Sequence, residues 1–148
     1  MKKKRPVIVE EVLKQRATEV WNAITELEHM QHWFFENIPD FKAEVGFKTS
    51  FVVQSGQQDF IHLWEITEVV PHKRIVYKWC YEGYSGESFV IFELKDMGDV
   101  TRLKVSHLGL ESFPDHIPEF TRESCQGGWN YFIKDQLKAY LDQNIKPN

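Results

Sequence analysis

The sequence predicts an α+β fold in which a curved antiparallel β-sheet wraps around one long C-terminal helix, with two short helices after the first strand. Three observations predict it. Both ends of the chain are amphipathic at helical spacing: Val20, Trp21 and Ile24 near the start, then Cys125, Trp129, Phe132, Ile133, Leu137, Tyr140 and Leu141 near the end. Between them lie runs with strand alternation and no second helical pattern. The connections between those runs are short, which makes the sheet antiparallel. A sheet curled about one closing helix leaves room for a pocket.

The elements follow in order. Residues 6–14 hold Val7, Ile8, Val9, Val12 and Leu13 and read as the first strand. Thr18 is placed to cap the next helix by accepting a backbone N–H. A second short helix carries Leu27, Met30, Trp33 and Phe34 and must stop before Pro39, because the residue preceding a proline avoids the α region. Then Phe41, Ala43, Val45, Phe47, Thr49, Phe51 and Val53 alternate with Lys42, Glu44, Lys48, Ser50 and Gln54, a strand with one buried face. Gly46 interrupts its polar face and marks a bulge or bend. After a turn at Ser55-Gly56-Gln57, residues 60–70 form a strand that Pro71 ends.

Ile75, Tyr77, Trp79 and Tyr81 share one face of the following strand, and Gly83 to Gly86 turn the chain. Val90, Phe92 and Leu94 face one way while Phe89 and Ile91 face the other, so this strand has apolar groups on both sides. Met97-Gly98-Asp99 turns into Thr101, Leu103, Val105 and His107. A loop over residues 109–118 contains Phe113 and Ile117. The final helix is expected to run from about Pro118, a residue suited to an early helical position, to just before Pro147. Gly127 and Gly128 sit inside it, each costing about 1 kcal/mol against alanine. Close approach to the sheet, space beside Trp129 or a bend would each explain them.

Composition narrows the function classes. The chain has 148 residues, 42% hydrophobic and 14% aromatic, which suits one domain over residues 6–148 behind a basic tail at residues 1–5. Net charge is −4; without Lys2, Lys3, Lys4 and Arg5, 14 basic residues face 22 acidic ones, a net −8. An acidic body repels phosphate backbones, so no nucleic-acid partner is expected. Cys80 and Cys125 form neither a CxxC pair nor a zinc spacing and read as core thiols in a reducing compartment. Neither a signal peptide nor a membrane span is read from the sequence, and the expected location is cytoplasmic. There is no phosphate loop and no dinucleotide fingerprint, and no cofactor is expected.

The ordered residues resemble a known family. Val20-Trp21-x-x-Ile24, Trp33-Phe34 and Gly46 come first, followed by Glu68-Val69-Val70-Pro71-x-x-Arg74-Ile75-Val76-Tyr77-x-Trp79. Thr101-x-Leu103-x-Val105-x-His107-x-Gly109 and Gly128-Trp129 complete the set. Together they resemble the START and Bet v 1-like (SRPBCC) superfamily with its helix-grip fold, and within it the family related to the C-terminal domain of the activator of Hsp90 ATPase (AHSA1-like). The resemblance implies a hydrophobic cavity between sheet and long helix. The eukaryotic co-chaperone of that family carries a further N-terminal domain that contacts Hsp90, for which this chain has no room.

Candidate site residues follow from both lines of reading. Trp33, Phe34, Phe47, Phe51, Tyr77, Trp79, Phe113, Phe120, Trp129 and Phe132 either line a cavity or fill the space themselves. His107, on the face of Leu103 and Val105, is the best polar candidate. A buried imidazole needs a partner, which a ligand, Tyr77, Ser124 or a trapped water would supply. His29 and His32 read as a solvated helix face rather than a metal site, and Glu65 and Glu93 as the solvated face of the sheet. Gly83-Tyr84-Ser85-Gly86 lacks the glycine two places after the serine and the strand-to-helix context of a nucleophile elbow.

The leading expectation is a non-catalytic binding module for a small apolar ligand. A protein-interaction role of the Hsp90-activator type is the alternative, with Phe89 and Ile91 as a contact patch. A cyclase or hydrolase using His107 is the third. A monomer and a homodimer are both compatible with the sequence.

Overall fold

The structure, a computed structural model, describes residues 5–144. The basic tail, apart from Arg5, and the residues around Pro147 lie outside the described residues. Strand β1 (Val7–Leu13) is followed by helices α1 (Ala17–Thr25) and α2 (Leu27–Trp33), then by β2 (Lys48–Ser55), β3 (Gln58–Val70), β4 (Arg74–Tyr81), β5 (Ser88–Asp96) and β6 (Thr101–Leu108). All neighbours are antiparallel, in the order β1-β6-β5-β4-β3-β2. The run β2 to β6 is a meander. The chain's first strand closes it by pairing with its last, Val9 opposite Val105.

After β6 two short 3-10 turns (Leu110–Ser112 and Pro118–Phe120) lead into the C-terminal helix. That helix comprises α3 (Arg122–Asn130), a π-helical stretch (Tyr131–Leu137) and α4 (Lys138–Asn144), continuous through Asn130, Tyr131 and Lys138 in the right-handed helical region. The long C-terminal helix is present, and only its expected start at about Pro118 is corrected. Pro118 belongs to a separate turn, and Thr121 is the cap, its hydroxyl accepting from Ser124 N at 3.1 Å. The π stretch inserts extra backbone per turn directly after the two glycines, a feature that apolar spacing does not reveal.

The period-two faces sort as alternation requires. Val7, Val9, Leu13, Trp64, Ile66, Tyr77, Trp79, Val90, Phe92, Leu103 and Val105 are buried beneath the helix side of the sheet. Trp129, Ile133, Leu137 and Leu141 form the helix stripe that meets them. On the other side, Ile8, Val12 and Val52 are exposed, and Phe89 and Ile91 are half-buried. Glu93 lies on that outer side and pairs with Arg74 at 2.7 Å, while Glu65 is half-buried.

Three local expectations are corrected. Helix α1 starts at Ala17, so Thr18 lies inside the first turn; Arg16 is the N-cap residue, its N–H 3.5 Å from Glu19 Oε1. The alternating run from Phe41 becomes strand only at Lys48. Gly46, at φ +92, turns the chain there, so that Gly46 N and Phe47 O both pair with Ile66 while Val45 is exposed. His29 and His32 are not a free face: His29 Nδ1 lies 2.6 Å from Tyr140 Oη, and His32 stacks on the Tyr140 ring, docking α2 against α4.

Candidate functional site

The inner face of the sheet and the start of the C-terminal helix do not close completely. A hollow of about 130 Å³ remains between them. Strand β3 contributes His62 to its lining, β4 contributes Trp79 and Tyr81, and β6 contributes His107. Cys125, Gly128 and Trp129 come from α3, Phe132 from the π stretch, Phe35 from the segment after α2 and Glu119 from the second 3-10 turn. Phe35 and Phe132, edge-to-face at 4.9 Å, also border an outer groove of about 650 Å³ that includes Phe34, Asn37 and Val53. This aromatic pair is common to the linings of the hollow and the groove. The volumes rank the spaces against simple expectation: both this groove and a depression of about 450 Å³ behind the sheet, at Ser50, Leu63, Lys78 and Cys80, exceed the interior hollow.

His107 is fully engaged by the protein. Trp129 Nε1 donates to His107 Nδ1 at 3.1 Å, which makes Nδ1 the acceptor and leaves the proton on Nε2. Nε2 lies 2.8 Å from Ser88 Oγ, and Ser88 Oγ donates onward to Trp79 O at 2.7 Å. The chain indole, imidazole, hydroxyl, carbonyl thus ties helix α3 to β6, β5 and β4. Burial, with a smaller contribution from nearby His62, lowers the His107 pKa to about 3. None of the sequence-level candidates Tyr77 and Ser124 is its partner.

Two glycines hold this corner together. Gly86 (φ +105) and Gly109 (φ +89) are both left-handed, and a Cβ on Gly109 would lie 2.9 Å from Glu87 O. Ser112 Oγ bridges the two segments, donating to Glu87 O and accepting from Glu87 N. This clasp fixes Ser88 where His107 needs it.

His62 differs. Its Nδ1 lies 3.3 Å from Phe60 O, and because a carbonyl only accepts, the proton sits on Nδ1. Nε2 is then a bare lone pair, with no protein partner among the described residues, and it is absent from the sealed, unpartnered atoms of the interior. Burial lowers the His62 pKa to about 4, partly offset by the Phe60 carbonyl, so the ring is neutral near pH 7. Tyr81 Oη accepts from Trp79 Nε1 at 3.0 Å, and burial pushes its pKa well above the ordinary phenol value.

Of the eleven residues singled out from the sequence, Trp79, His107, Trp129 and Phe132 come together around the hollow. Phe34 lies beside it, lining the outer groove and packing on Trp64, Trp129 and Phe132. The remaining six fill space elsewhere. Trp33 is sealed in the core, donating to Ala23 O at 2.8 Å. Phe47 and Tyr77 pack on Phe41, Phe51 stacks on His62 from outside the hollow, and Phe113 and Phe120 back Tyr81. Sequence reasoning missed Phe35, His62, Tyr81, Glu119, Cys125 and Gly128 as lining residues. For His62 a signal exists: Phe60, His62, Trp64 and Ile66 alternate onto one buried face.

No group of three or more metal-ligating side chains is gathered among the described residues, and no helix there is long and apolar enough to cross a membrane. A curved antiparallel sheet gripping one long helix over an aromatic hollow is the helix-grip architecture of Bet v 1-like proteins. Within that class, the chain belongs to the family described as Activator of Hsp90 ATPase homolog 1-like protein, which it matches over residues 14–142.

Solved structures share the fold. The Mll3558 protein of Rhizobium loti superposes with a TM-score of 0.77 at 20% identity, covering 92% of this chain and 96% of that one. Protein CV1439 of Chromobacterium violaceum gives 0.75 at 23% identity, covering 97% and 98%. The Aha1 dimer of Colwellia psychrerythraea gives 0.71 at 16% identity, covering 93% and 96%. No curated protein matches the chain.

Proposed function

We propose that this chain is a non-catalytic binding module that holds a small apolar ligand in the hollow between its sheet and C-terminal helix. The observation that carries the reading is the hollow itself: about 130 Å³ of partly open space bordered by Phe35, Trp79, Tyr81, Trp129 and Phe132. Pockets for drug-sized ligands run to about 300–1,000 Å³, so sterols and long acyl chains do not fit without rearrangement. An apolar cavity of about 150 Å³ accepts benzene or xenon, which sets the expected ligand size. Thermal-shift and native mass-spectrometric screening of compact apolar compounds tests the reading. Stabilisation by small rings is expected; no response from any of them would overturn it.

A second reading, a protein-contact module of the Hsp90-activator type, is favoured by the outer face of the sheet. Ile8 and Val12 on β1 are 43% and 42% exposed there, with half-buried Phe89 and Ile91 two strands away on β5. Capture of the cognate Hsp90 with a raised ATPase rate would support it, and an unchanged rate at saturating protein would remove it.

A further inference from the structure

The hollow has a chemical polarity as well as a size. Its aromatic rings offer faces and edges suited to another ring. Among its polar groups, His107 has both nitrogens occupied, and Glu119 accepts from Ser55 Oγ at 2.9 Å. His62, a lining residue only 6% exposed, carries at Nε2 a lone pair with no protein donor among the described residues. Tyr81 Oη, an acceptor from Trp79, has no protein acceptor for its own proton among the described residues. One unpaired acceptor and one unpaired donor beside a ring-sized space match a hydroxyl, which both donates and accepts. The Glu119 carboxylate in the lining disfavours an anionic ligand.

We infer that the hollow selects neutral single-ring phenols, the ring lying among Trp79, Trp129 and Phe132 and the hydroxyl donating to His62 Nε2. The inference rests on the binding-module reading above and specifies its ligand class. Long apolar chains are excluded by volume. Benzene and anisole fit or nearly fit, but they leave the buried lone pair unanswered.

The test is calorimetric titration of the full chain at pH 7 with phenol, anisole, benzene and benzoate, repeated on His62→Phe. Phenol should bind about tenfold more tightly than benzene or anisole, as one recovered buried hydrogen bond implies, with benzoate weakest. His62→Phe should erase the preference for phenol, so that phenol and benzene bind the variant equally. Equal affinities of phenol and benzene for the unaltered chain, or phenol binding unaffected in the variant, would overturn the phenol assignment alone. Failure of every arene to bind would overturn the binding reading with it. Should His62→Phe not fold, the ¹⁵N resonance of His62 Nε2 in the unaltered chain decides. An upfield shift on adding phenol and none with benzene is expected; no phenol-specific shift contradicts the assignment.

Discussion

The two ends of the C-terminal helix meet the same sheet in different ways. The distal end is closed. Ile133 and Leu137 are 0% exposed and Leu141 3%, and polar ties run from this end to β1 and beyond. Lys134 and Lys138 each donate to a different oxygen of Glu11 at 3.2 Å, Lys134 also reaches Glu10 O, and Gln15 donates to Asp142. The Glu11 carboxyl, although burial alone would raise its pKa, is held below the usual range by those two lysines. The proximal end also reaches the first strand, through Gln126 to Ile8 O, and the residues just before it, through Arg122 to Arg5 O and Pro6 O. But it has two glycines in place of side chains and one large buried anchor, Trp129, whose indole is tied to His107. The difference teaches that one continuous helix can seal a core with its aliphatic half while its aromatic half bridges a void. The π-helical stretch contains the change, with Phe132 at the hollow and Ile133 and Leu137 in the sealed core.

Truncation breaks this comparison most strongly. Leu137→Ala at the closed end should cost about 2–5 kcal/mol, as buried leucines do, whereas Phe132→Ala, half-buried at the open end, should fall below that range. Urea unfolding measures both; equal losses would mean the two ends are packed alike.

Acidification probes the open end next. His62 and His107 are neutral in the folded protein because their pKa values drop to about 4 and about 3. The unfolded chain takes up their protons near pH 6.5, so folding stability is intact above that pH and falls as pH drops toward 4. Each histidine contributes a slope of about 1.4 kcal/mol per pH unit in that window. Stability measured between pH 7 and 4.5 should fall accordingly, and a flat profile would show that the rings are solvated. Glu11 adds to the loss only at lower pH, where its depressed pKa lies.

Tyr77 offers a smaller test. Its hydroxyl is buried with no hydrogen-bond partner among the described residues, and burial pushes its pKa far above the ordinary value. Removing an unsatisfied buried hydroxyl while keeping the ring should stabilise, so Tyr77→Phe is expected to gain about 1 kcal/mol. A loss of stability would reveal a hydrogen bond at that oxygen.

The glycines give the finest discrimination. A Cβ at Gly127 or Gly128 meets no atom within 4 Å beyond the helix's own nearby backbone, so close approach to the sheet does not explain either glycine. Each change to alanine should stabilise by about 0.5–1 kcal/mol through helix propensity. Gly128, which borders the hollow, should in addition weaken small-ring binding, whereas exposed Gly127 should not. Identical effects of the two on binding would separate Gly128 from the hollow.

Much of the fold was legible because one-sided burial imposes alternation, as in Val90, Phe92 and Leu94 or Thr101, Leu103 and Val105. Where local alternation persists without pairing, it misleads. Phe41 to Phe47 keep the pattern, but Gly46 redirects the backbone before the ladder begins. The anchors Trp129 and His107 were visible as aromatic and polar residues on buried faces. Their mutual hydrogen bond, and the part of Ser88, depend on register and helix placement, which composition and periodicity do not carry. Tyr77 and Trp33 shared the same aromatic signal yet seal the core, because periodicity separates inside from outside but not filled from unfilled.

The central claim is that unfilled space remains under the proximal half of the helix. A crystal of the protein pressurised with xenon tests it most directly. Anomalous density among Trp79, Trp129 and Phe132 is predicted; its absence there, with xenon bound elsewhere in the same crystal, would contradict the account.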